Sequence, residues 1–120
     1  MDHGVVNRVA ALIAADAPVP RDDLALAARE IAGALASRHP GKTIEVRVPP
    51  FAAVQVGSVE GDGPQHRRGT PPNLVEMDAP TAVRLATGAI TWAEAAKSGL
   101  LRYSGAHTLD VAAMFPLAQP

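Results

Sequence analysis

Two Pro-Pro pairs, Pro49-Pro50 and Pro71-Pro72, stand in the part of this chain whose side chains alternate in the manner of β-strands. Proline has no backbone N–H and cannot sit inside the hydrogen-bonded ladder of a sheet. The pairs therefore cut the middle of the chain into short strands. Upstream of the first pair, Ile44, Val46 and Val48 alternate with Thr43, Glu45 and Arg47, the pattern of a half-buried strand. Downstream, residues 51–59 read as a second strand, apolar on both faces, and Glu60-Gly-Asp-Gly63 reads as a turn. Residues 65–77 return as a third strand, in which Gly69-Thr-Pro-Pro72 predicts a bulge or a break. A fourth strand covers residues 100–104.

Around these strands the apolar period is helical. Val5, Val9, Leu12 and Ile13 predict a helix over 4–15, stopped by the Ala-Pro-Val-Pro run at 17–20. A second helix over 22–38 starts at Asp22 or Asp23, whose carboxylates suit an N-cap, and ends at His39-Pro-Gly41. Its stripe of Leu24, Ala28, Ile31 and Leu35 is expected to be buried against the sheet. Asp78 before Ala79-Pro80 opens a third helix that ends at Gly88. Thr91-Trp-Ala-Glu94 is a capping-box pattern opening a fourth, which ends at Gly99. Residues 110–115 read as a last short helix or turn. Strands and helices segregated in this way argue for an α+β fold rather than a doubly wound sheet. The expected organisation is a helix and Pro-rich connector over 1–21, one domain over 22–117, and a tail at 118–120.

Composition removes several classes of function. Without cysteine there is no disulfide, no thiolate nucleophile and no sulfur-ligated zinc. A net charge of −1 supplies no field for nucleic acid, and two Phe, one Trp and one Tyr are too few for a base-stacking surface. No run of about 18 apolar residues exists, so no integral membrane segment is expected. Met1-Asp-His-Gly lacks the basic start of a signal peptide, and the expected location is cytoplasmic. His3, His39, His66 and His107 have no metal-ligand spacing. No Gly-x-Ser-x-Gly elbow, phosphate loop or dinucleotide fingerprint occurs. The chain reads as non-enzymatic, with no catalytic residues, no cofactor and no metal.

Binding residues are sought on the strands. If Val48 pairs with Phe51 and Val59 with Pro64, parity gathers Ile44, Val46, Val48, Phe51 and Ala53 on one face, with Gln55, His66 and Arg68 farther along it. An apolar slot with a few convergent polar groups is the usual form of a small-ligand site. Arg68 suits a carboxylate, since its guanidinium can bond bidentately. The alternative is structural, with Arg68 paired to Glu45 or Glu76 or standing in water at the sheet edge. A slip of one residue would turn Val54 to the site instead of Gln55. Trp92, Tyr103, Met114 and Phe115 read as core or, where a tunnel exists, as its lining. Thr70, Asn73 and Glu76 read as turn chemistry around the second Pro-Pro pair, or as a ligand-facing loop.

The ordered pattern Leu85, Gly88, Ala95, Gly99, Leu101 and Gly105, following the helix and the hairpin at 47–76, resembles the bacterial sterol-carrier-protein-like domain over 22–117. It is also similar to the C-terminal domain of mycothiol-dependent isomerase-like proteins. The resemblance implies a small, mostly antiparallel sheet with helices packed on one face. It implies binding or transport of a fatty acyl or sterol-like molecule in a cavity between sheet and helices. Phe51, Val54, Gln55, His66, Arg68, Trp92 and Tyr103 are the candidate lining residues. The alternative it implies is an accessory module acting through a protein partner or as a homodimer.

Overall fold

A computed structural model describes residues 1–58 and 73–117. Helix α1 spans His3–Ala14, and the Asp2 carboxylate caps it by accepting from the N–H groups of Gly4 and Val5 at 3.0 and 3.3 Å. Helix α2 spans Arg21–Arg38. Its N-cap is Pro20, without a side-chain bond, so Asp22 and Asp23, the N-caps the sequence suggests, lie one and two residues past the helix's first residue. They act in the first turn, where a negative charge is favoured by the helix dipole. Asp23 also holds Arg8 of α1 at 3.3 Å.

Along α2, Ala28, Ile31 and Leu35 are buried as the stripe predicts, while Leu24 is half-buried near the start of the helix. Ala25, Ala27, Ala32 and Ala34 are buried as well. Such small side chains let the helix lie close to its neighbours, and α2 packs against α1, α3 and the first two strands.

Strands β1 (Ile44–Val48), β2 (Ala52–Val56), β3 (Asn73–Met77) and β4 (Leu101–Ser104) form one sheet in the order β2-β1-β3-β4. The β1–β2 and β3–β4 pairs are antiparallel, and β1 and β3 are parallel. The third strand was expected to fold back beside the second. It lies instead on the other side of β1, so within the described residues β2 is an edge strand. The physical reason is that β1 has two ladder edges: β2 fills one through a short turn, and the longer return satisfies the other.

Asn73 fixes that return. Its Nδ2 donates to the Thr43 carbonyl at 3.0 Å, and its Oδ1 accepts from the His107 N–H at 3.0 Å. One buried amide thus ties the starts of β1 and β3 to the approach of the last helix.

Helix α3 (Ala79–Thr87) begins at Asp78, whose carboxylate accepts from Thr81 N–H at 2.8 Å. It closes on Gly88 at φ 81°, a left-handed conformation that glycine adopts without strain. Helix α4 (Trp92–Lys97) opens with the complete Thr91 and Glu94 capping box. A 3₁₀ helix, Thr108–Met114, packs near β3. The α+β core gathers Val5, Val6 and Val9 of α1 and Val83, Leu85 and Ala86 of α3. With them lie Ile31, Leu35, Ile44, Val46, Val56, Val75 and Leu117.

Candidate functional site

The β1–β2 register decides what each face of the sheet offers. Val48 stands opposite Ala52, not Phe51, and Val46 opposite Val54. Phe51 is absorbed into the turn, where its N–H closes on the Val48 carbonyl at 2.9 Å. That one residue shifts the parity of everything after it. Ala52, Val54 and Val56 therefore join Ile44, Val46 and Val48 under the helices, while Ala53 and Gln55 turn outward with Glu45 and Arg47. The expected placement of Gln55 beside the apolar half of the inner face is corrected: it is exposed and lies across from Glu45 on the outer face.

The outer face is a row of charges. Arg47 on β1 is in register with Glu76 on β3, which in turn faces Arg102 on β4. Opposite charges on neighbouring strands support one another. Glu45, which the sequence offers as a structural partner for Arg68, bonds to Arg47 two residues along its own strand. His66 and Arg68, and with them the expected pairing of Val59 with Pro64, lie outside the described residues.

The remaining candidates stand at opposite edges of the sheet. At the β2 edge, Phe51 is half-buried under the Arg21 guanidinium, whose carbon lies 5.0 Å from the ring centroid, a cation–π distance. Val54 is half-buried on the inner face. A shallow depression of about 430 Å³ borders Phe51, Pro49, Pro50 and Arg47. A second, of about 310 Å³, lies beyond Pro49 against Glu76, Asp78, Leu100 and Arg102.

At the β4 edge, Tyr103 is on the inner face opposite Val75, with 49% of its surface exposed. The Trp92 ring, at the start of α4, is 6.5 Å from Tyr103 and 6.4 Å from Phe115, at interplanar angles of 31° and 26°. These are centroid separations of interacting aromatic pairs. Three rings from three elements thus form one row, with Trp92 in the middle. The indole Nε1 of Trp92 is shielded from solvent and has no hydrogen-bond partner among the described residues. Arg21 carries no site reading in the sequence, and Phe115 only one as core or tunnel lining. Their roles depend on contacts to residues far along the chain, which no local pattern reports.

The capping box also shifts the acidity of Glu94. The backbone N–H of Thr91, then its hydroxyl, hold this exposed carboxyl below its ordinary value, with Arg84 contributing in the same direction. Among the described residues no three metal-ligating side chains come together. No described helix is long and apolar enough to cross a membrane.

Residues 20–117 match the model of a protein family described as bacterial SCP ortholog, where SCP denotes sterol carrier protein. No curated protein matches the chain in sequence.

Proposed function

The chain belongs to this bacterial sterol-carrier-protein-like family, and on that ground we propose that it is a non-enzymatic cytoplasmic carrier of a hydrophobic molecule, fatty acyl or sterol-like in class. Family membership over residues 20–117 is the observation that carries the reading. The row of Trp92, Tyr103 and Phe115 supports a place for the ligand. It offers aromatic area at the rim of the inner face, whereas Ile31, Leu35, Ile44 and Val46 are filled core with at most 1% exposure. Apolar surface left partly open on an otherwise packed layer is what a lipid-binding rim requires. Native mass spectrometry of the purified protein, with displacement of a fluorescent lipid probe, tests the reading. A co-purifying lipid and saturable displacement are expected. Absence of both across acyl and sterol ligands would contradict it.

A second reading is an interaction module that self-associates. Its support is β4, an edge strand among the described residues, with Tyr103 49% exposed and Leu109 65% exposed in the segment that follows. Edge strands with apolar neighbours are templates for pairing with a further chain. Light scattering over a concentration series separates the two readings, since a carrier needs no dimer.

A further inference from the structure

Trp92 carries a donor with nothing to donate to. Among the described residues its Nε1 is closed off from solvent and unpartnered, although the ring itself is only half-buried among side chains at the β4 edge. Buried donors in folded proteins are nearly always paired, because an unpaired one forfeits its hydration without return. Apart from the Tyr103 hydroxyl, it is the polar atom of the aromatic row it shares with Tyr103 and Phe115. Tyr103 is the neighbour with freedom to move, since half of it is exposed on a strand that is an edge among the described residues.

The surroundings restrict what could accept that hydrogen bond. A carboxylate head would need a cation, and among the described residues the basic groups of the flanking elements are engaged or placed elsewhere. Arg102 alternates to the outer face opposite Glu76. Arg84 acts on Glu94. Lys97, five residues along α4 from Trp92, stands about 140° around the helix. Glu94 itself places a negative charge in the same short helix, two residues from the indole.

We infer that the indole N–H of Trp92 reads a neutral oxygen of the ligand, a hydroxyl or an ester carbonyl, and that the ligand's apolar body lies along Trp92, Tyr103 and Phe115 after Tyr103 swings aside. This rests on the carrier reading above and names the ligand class: neutral oxygenated lipids rather than fatty-acid anions.

The probes are 1-decanol and decanoate, which share a chain length and differ in head group. Trp92 is the only tryptophan, so a ¹⁵N-labelled protein has a single indole N–H resonance. Decanol is expected to move that resonance downfield in a saturable way and to displace a fluorescent lipid probe. Decanoate at neutral pH should do both far more weakly. Trp92→Phe keeps an aromatic ring and removes the donor, and it should weaken decanol in the displacement assay about three- to tenfold, the worth of one neutral hydrogen bond. If decanol displaces the probe while the indole resonance stays fixed, the inference fails and the carrier reading survives. Equal shifts and affinities for decanol and decanoate would overturn the neutral-head assignment. If neither displaces the probe, nor does any acyl or sterol ligand, both the inference and the carrier reading fall. Should Trp92→Phe not fold, the resonance of the unaltered protein still decides.

Discussion

The two edges of the sheet are built on different principles. At the β2 side, α2 lies close over branched side chains, and Ala27, Ala28, Ile31, Leu35 and Val56 are closed off from solvent to within 1%. At the β4 side the packing ends in three rings, one of them half exposed, with a shielded indole N–H unpaired. The first edge gives its α2 side chains and Val56 to the core and leaves Phe51 and Val54 half-buried at its margin. The second keeps aromatic area and a shielded donor in reserve, which suits a contact made with another molecule.

Substitutions at the two edges should therefore separate stability from binding. The largest expected effect is at Leu35, 1% exposed within the core. Leu35→Ala leaves a cavity there and should cost roughly 2–5 kcal/mol in a reversible denaturant titration. A negligible loss would break the contrast, because the α2 side would then be as loose as the other.

Asn73→Ala comes next, removing a buried amide that bonds the Thr43 carbonyl and the His107 N–H. Leaving such partners unsatisfied should cost roughly 1–3 kcal/mol. Hydrogen exchange should quicken at His107 and along β3. Loss of stability without faster exchange there would show that Asn73 does not tie these segments together.

Tyr103→Ala sharpens the comparison from the other side. It removes an aromatic contact and should cost only about 0.5–1.5 kcal/mol in stability, while weakening lipid-probe binding clearly. A cost like that of Leu35→Ala would make Tyr103 core rather than rim.

Glu94 gives the smallest effect, and its sign follows from the capping box. Its carboxyl titrates below the ordinary value in the folded chain, so the unfolded chain takes up the proton first as pH falls. The capping contribution is therefore present above the unfolded value, about 4.3, and is lost as pH drops through the lower folded value. Glu94→Gln should flatten this part of the acid stability profile, and an unchanged acid slope would contradict the capping role.

Much of the scaffold was legible because its signals are local. Asp78, Gly88 and the pair Thr91 and Glu94 mark helix ends through bonds to their own neighbours, and Ile44, Val46 and Val48 declare their buried face by alternation. Asn73 announced itself as a side chain that ties backbone down, though not that its partners would be Thr43 and His107. The parallel place of β3 beside β1 was not legible, since strand pairing between distant segments leaves no mark in either. The register was lost through Phe51, because a turn that takes one more residue inverts the face of Gln55 and Val54 alike. Trp92, Tyr103 and Phe115 are separate aromatic residues in the sequence, and only the fold makes them a row.

The most direct measurement is paramagnetic line broadening of the backbone amides by a nitroxide-labelled neutral sterol. If the β4 rim holds the ligand, amides around Trp92, residues 101–104 and Phe115 broaden, while those of Ala52–Val56 stay sharp. Broadening centred on Phe51 and β2, with the aromatic row untouched, would contradict the division of labour between the two edges.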